Sequence, residues 1–186
     1  MNSALLVMDV QRAIVDIADD GSGYLPRLRR AIDGARAADI PVIYVVIALR
    51  SGFPEVGTRN RPLAAIARDG LFVEGAPGTE IHPDIAPRPG DVVVTKRRAS
   101  AFSGSDLDVV LRARGIDSLV LTGIATSAVV LSTLCQANDL DFGLSVLSDA
   151  CLDTDPELHR VLVERLFPQW ADVVTVDDWL KVNAPA

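Results

Sequence analysis

The chain has 186 residues, of which 49% are hydrophobic and 23% charged, with a formal charge of −7. This is enough apolar material for one buried core, no Pro/Gly/Ser-rich or charge-run linker divides it, and the composition excludes disordered and repeat architectures. A surface of net negative sign repels a phosphate backbone, so nucleic acid is not an expected partner.

Ser3 to Met8 is a continuous apolar run ending at Asp9. It reads as a strand buried on both faces, as does Pro41 to Ala48, which is rich in β-branched residues. Between them Leu25, Leu28, Ile32 and Ala35 recur at helical spacing, completing a βαβ unit. Arg50 to Pro89 breaks the rhythm with many Pro, Gly and Arg residues and one short helix around Leu63 to Arg68; an irregular insertion of that length points to function. The alternation then resumes. Asp91 to Thr95 is a strand, and Ser105 to Arg114 is a helix stopped by Gly115. Ser118 to Thr122 is a strand, Thr126 to Asn138 a helix, and Phe142 to Leu147 a strand. Pro156 to Leu166 is a helix opened by proline, Asp172 to Val176 a last short strand, and Asp177 to Val182 a terminal helix. Strands alternating with helices predict one α/β domain over residues 1–186, a doubly wound and mostly parallel sheet with helices on both faces in three layers.

Cys135 and Cys151 are too few for a disulfide framework and lie in apolar segments, which fits a reducing compartment and a cytoplasmic location. The first apolar run is too short to span a membrane and lacks a basic leader, so no membrane association is expected. His82 and His159 are isolated and no Asp/His cluster occurs, so no metal is expected. The first strand turns through DVQRAIVD without the glycines that admit a pyrophosphate, so no dinucleotide cofactor is expected either. His159 reads as an ordinary helix residue.

In open α/β sheets ligands bind beyond the carboxyl ends of the strands, and here those ends are polar. The first delivers Asp9 and Gln11, and the third delivers Lys96 with Arg97 and Arg98. The fourth delivers Gly123-Ile124-Ala125-Thr126, and the fifth Asp149. The second leads to Arg50, Phe53, Arg59 and Arg61, whose guanidinium groups match a carboxylate substrate. Surface lysine and helix-capping roles remain open for Lys96 and Asp9, as does plain solvation for the arginines.

The segments LLVMDVQ, VVVTKRRASAFSGSDLDVVLRARGI and LVLTGIATSAVVLSTLCQANDLDFGLSVLSDAC resemble the three signature regions of the isochorismatase-like (cysteine hydrolase) superfamily, in the right order over nearly the whole chain. RSGFPEVGTRNRP and DPELHRVLVERLFP resemble one bacterial branch of it. The resemblance implies an Asp–Lys–Cys site. Asp9 and Lys96 take the first two places, but the motif counted from Gly123 through Thr126 puts Val129 at the cysteine. Cys135, six residues on, lies about 9 Å further along the helix and on another face.

Valine has neither lone pair nor proton, so thiolate attack on an amide is not available at that position. The resemblance leaves the route of isochorismatases, in which the aspartate protonates the substrate and water completes hydrolysis. It thus implies a cofactor-independent hydrolase of a small metabolite, with Asp9 as general acid or base and Lys96 as electrostatic partner. Gln11, Phe53, Arg59, Phe102, Ile124, Ala125, Thr126, Ser127 and Ala128 would line the substrate site. A cis peptide at Ile124–Ala125 would aim backbone N–H groups at the substrate oxygen, and a homodimer or homotetramer is implied. Two alternatives stand beside it: a silent small-molecule-binding or assembly protein, and an amidase using another nucleophile, Thr126, Ser127 or a remaining cysteine.

Overall fold

The computed structural model describes residues 2–18, 21 and 23–183. Six parallel strands form one sheet in the order β3-β2-β1-β4-β5-β6: β1 Ser3–Met8, β2 Val42–Ile47, β3 Val92–Lys96, β4 Ser118–Ile124, β5 Gly143–Leu152 and β6 Asp172–Val174. β1 and β2 are buried on both faces, and that is why their sequences run apolar without alternation. Successive residues of β1 feed two separate cores. Ala4, Leu6 and Met8 pack with Leu107, Leu111 and Leu134 on one side, while Leu5 and Val7 pack with Tyr24, Leu28 and Trp179 on the other.

Helices cover both faces as expected. α2 Tyr24–Ala37 buries Tyr24, Leu25, Leu28, Ile32 and Ala35 along one stripe. α4 Leu107–Ala113 ends where Gly115 adopts φ 61° and its N–H donates to Arg112 O at 3.0 Å, the left-handed stop that glycine supplies cheaply. α6 Pro156–Val161 is capped by Asp155, whose Oδ1 accepts from Glu157 N and Leu158 N, and α7 Val176–Val182 by Thr175. Among the described residues no helix is long and apolar enough to cross a membrane.

The structure differs from the sequence reading at five elements. Arg12–Ala18 is a helix, α1, which the polar DVQR start concealed. The helix expected from Thr126 to Asn138 opens with a π-helical turn, Thr126–Val130, before α5 Leu131–Asp139, and the helix expected from Pro156 to Leu166 closes with another, Leu162–Leu166. The last strand ends at Val174, and α7 begins at Val176. β5 does not end at Leu147 but continues to Leu152, because its pairing with β4 jumps from Leu121↔Val146 to Gly123↔Cys151. The extra residues bulge, and Asp149 is turned away from the strand end: its Oδ1 accepts from Val176 N at 2.8 Å and its carbonyl from Arg27 Nε at 3.0 Å.

The insertion after β2 holds α3 Arg61–Arg68 and two single 3₁₀ turns, Pro77–Thr79 and Pro83–Ile85. Asn60 Oδ1 accepts from Leu63 N at 3.3 Å, and Leu63 packs on Ile47 and Leu49. This lays α3 over the carboxyl end of β2. The chain steps outward from β1 to β2 and β3 on one side and to β4, β5 and β6 on the other, so the sheet switches direction between β1 and β4, where a crevice opens.

Candidate functional site

Asp9 follows β1 at that switch point with φ 58°, a left-handed conformation that Asp and Asn tolerate better than other side chains. Lys96 is the last residue of β3, which β2 separates from β1. Its Nζ reaches back across the strand ends to Asp9 Oδ2 at 2.9 Å and also donates to Arg98 O at 2.8 Å. Both side chains are buried. Asp9 Oδ1 has no hydrogen-bond partner among the described residues. Burial pushes the Asp9 carboxyl above its usual range, and the ammonium of Lys96 pulls against that rise without cancelling it.

Gly123, opposite Met8 in the β1–β4 register, brings the next strand close to Asp9. At φ 145° a Cβ there would lie 2.3 Å from Met8 O, so only glycine permits the approach. The peptide between Ile124 and Ala125 is cis.

A cavity of about 310 Å³ opens over these residues. Of the candidates read from the sequence it gathers Asp9, Lys96, Ile124, Ala125, Ala128 and Val129. Val129 is buried and lines the same space as the acid and the lysine. Much of the remaining wall comes from α1 (Ile14, Ile17, Ala18) and from α3 and its flanks (Leu63, Ile66, Phe72), with Ile47, Ala99 and Thr154 among the others. The apolar positions of α1 and α3 carry no chemical signature, and nothing in the sequence marks them as a substrate wall rather than as core.

The other candidates are placed elsewhere. Gln11 is fully buried but serves the backbone: its Nε2 donates to Ile47 O and Thr79 O at 2.9 and 2.8 Å, and its Oε1 accepts from Ile47 N at 2.8 Å. It pins the insertion to the end of β2. Phe53 packs beside Leu49 and Leu63, and Phe102 pairs with Phe142 in the core at 5.9 Å between ring centres. Arg59 is exposed and outside the cavity wall. Arg50, Arg97 and Arg98 are tied to Glu55, Glu74 and backbone carbonyls, and Arg61 lies exposed at the start of α3. Ser127 N donates to Asp153 Oδ2 at 2.7 Å and Ala128 N to Ala125 O at 3.1 Å, so neither amide is free to meet a substrate oxygen. Cys151 is buried against Leu121 O with its thiol pushed up to about 12 by burial, and neither it nor Cys135 lines the cavity.

Asp153 and His159 are the residues that sequence reasoning missed. Asp153, not Asp149, stands at the end of β5, and it clamps the 123–128 turn through Ser127 N. Thr126, fully buried, pairs its Oγ1 with His159 Nδ1 at 2.8 Å, so the first turn of α6 holds the same segment at a second point. The DPELH run contains the cap and the clamp together, but a lone helical histidine shows its partner only after folding.

Burial holds His159 below its ordinary 6.5, with Asp153 pulling the other way. The unfolded chain therefore takes up a proton there before the folded one does. The stability that this residue contributes is complete above that value and is lost as pH falls through and below it. Tm is expected to fall between pH 7.5 and 5.5, and to fall less in His159→Gln; equal losses in the two proteins would show that this clamp does not titrate.

The sequence matches the isochorismatase domain family over residues 3–178. It is 32% identical over 180 residues to the isochorismatase family protein YwoC of Bacillus subtilis, covering 96% of this chain and 93% of that one. It is 36% identical over 183 residues to the ureidoacrylate amidohydrolase RutB of Stutzerimonas stutzeri, covering 85% and 73%. The crystal structure of a cysteine hydrolase from Pseudomonas syringae pv. phaseolicola superposes with a TM-score of 0.90 at 24% identity, covering 98% and 92% of the two chains, a likeness of fold.

Proposed function

The chain belongs to the isochorismatase family of hydrolases, and from that premise we propose that it hydrolyses a small metabolite without a cofactor and without a thiol nucleophile. Asp9 is the general acid and base, and Lys96 is its electrostatic partner. One observation carries this reading: a buried Asp9–Lys96 pair and Val129 line one cavity, and one oxygen of the acid has no hydrogen-bond partner among the described residues.

The desolvation that raises the Asp9 pKa keeps a proton available closer to neutral pH than an exposed aspartate would. In the forward step Asp9 gives that proton to the substrate, at the leaving heteroatom of an amide or ester or at the alkene carbon of a vinyl ether; water adds to the carbon made electron-poor, and the bond from that carbon to the heteroatom breaks, the leaving group departing with a proton. Asp9 then recovers a proton from the added water, which balances the cycle. Lys96 stabilises the carboxylate that exists between the two transfers.

Turnover on a panel of small amides, esters and vinyl ethers, followed by mass spectrometry, tests this. The expected activity survives treatment with iodoacetamide, because no cysteine lines the cavity, and is lost in Asp9→Asn. Inactivation by the alkylating agent, or an undiminished Asp9→Asn enzyme, overturns the assignment. Val129 favours a second reading, a protein that binds small molecules and leaves them intact. A compound that raises Tm and is recovered unchanged, with no member of the panel turned over, would select it.

A further inference from the structure

Resting on the hydrolase reading of the cavity, we propose that the site selects uncharged small molecules with an apolar body and discriminates against carboxylates. Of the seventeen described residues in the wall, thirteen are apolar, and the four polar ones are Asp9, Asn60, Lys96 and Thr154. Lys96 is the only cation among them, and its Nζ is already engaged by Asp9 and by Arg98 O. Asn60 spends its Oδ1 on the cap of α3. A carboxylate entering this space would lose its hydration beside a buried acid and find no free counter-charge among the described wall residues, a cost that a neutral amide, ester or ether of the same shape avoids.

Arg50, Arg97 and Arg98 are held outside the wall by other partners, and Arg59 and Arg61, exposed beside the wall residues Asn60 and Pro62, are not part of it. Arg97 is bonded to Glu74 and to Ala48 O, and Arg98 donates to Glu55 O and to Arg97 O. Arg50 faces Glu55 at 3.7 Å. The three arginines fasten the insertion and β3 together rather than waiting for an anion. The apolar wall also extends to the mouth, where Ile17 lines the cavity while 70% exposed. At about 310 Å³ the space is at the small end of ligand cavities, which begin at about 300 Å³.

Isothermal titration calorimetry at pH 7.5 with two matched pairs tests the selection: 4-methylpentanamide against 4-methylpentanoate, and cyclohexanecarboxamide against cyclohexanecarboxylate. Each amide is expected to bind at least about tenfold more tightly than its carboxylate. Ile66→Arg, on the wall at α3, and Ile17→Arg, at the exposed mouth and so without risk to the core, are expected to narrow or reverse that ratio. Equal or tighter binding of the carboxylates by the unmodified protein, or no binding of either amide, overturns the proposal. The amide preference together with no turnover of any neutral compound would remove the hydrolase reading and leave the selection standing. Turnover accompanied by tighter carboxylate binding would do the opposite.

Discussion

Asp9→Asn is expected to lower kcat by roughly 10²–10⁴-fold, the range that a positioned general acid or base contributes, with KM changed only a few-fold. The substitution is chosen for what it preserves. Asp9 sits at φ 58°, where asparagine is the replacement that keeps both shape and backbone conformation, whereas alanine would add the strain of a left-handed residue. The amide can still accept from Lys96 Nζ, so the contact now at 2.9 Å need not open. What it cannot do is give up and recover a proton. A uniform loss of kcat with KM preserved therefore separates proton transfer from binding. The pH profile adds a second readout. Because burial raises the Asp9 carboxyl and Lys96 only partly opposes it, the protonated form required for the first step is lost as pH rises, and kcat of the unmodified protein should fall on its alkaline side. That limb should vanish from whatever residual activity Asp9→Asn retains. If kcat is unchanged, or the limb persists in the variant, Asp9 is not the acid.

The fold is legible in the sequence wherever burial leaves a pattern. Ser3–Met8 is bounded correctly because a strand buried on two faces must be apolar throughout and must stop where Asp9 begins. Pro156 and Gly115 mark a helix start and a helix end through their own backbone limits. β5 is not legible past Leu147, because Ser148 and Asp149 look like the polar end of a strand while in fact they occupy a bulge whose hydrogen bonds run to α7 and α2. The candidate site divides along the same line. Asp9, Lys96 and Val129 share one cavity, as their places near the strand ends predict. Gln11 stands two residues from Asp9 and reads as a substrate residue for that reason, yet its side chain is spent on three hydrogen bonds to the backbone of Ile47 and Thr79, and it is not among the described residues that line the cavity. Proximity in sequence fixes which end of the sheet a residue reaches. It does not fix which way the side chain turns, and that choice is made by unpaired backbone groups in a segment far along the chain. The wall contributed by α1 and α3 is hidden for a different reason: an aliphatic side chain facing a cavity and one facing the core are the same in sequence.

The largest change in stability is expected from Lys96→Met, about 3–5 kcal/mol at neutral pH by urea denaturation, the cost of leaving a buried ion without its partner. Methionine keeps most of the length of the lysine stem, so packing in the side chain's 1% exposed environment is largely retained and the loss reports on charge. Two consequences distinguish this from a packing defect. First, the loss should depend on pH in a definite direction. Asp9 is already raised above the ordinary carboxylate range, and removing the ammonium takes away the influence that lowers it, so its folded value rises further. A carboxyl raised on folding gives stability that is present below its unfolded value and is lost as pH rises through its folded one. Lys96→Met should therefore approach the unmodified protein as pH is lowered from 8 toward 5.5 and fall away from it as pH is raised. Second, Asp9→Asn in the Lys96→Met background should recover part of the loss, because it removes the very charge that was left unpaired, even though Asp9→Asn by itself removes the counter-charge of Lys96. A double-mutant cycle with a coupling of about 1 kcal/mol or more would measure that interaction. Additive losses with no pH dependence would mean that the pair, although 2.9 Å apart, is not ionised together in the folded protein, and the acid would then have to be held neutral by burial alone.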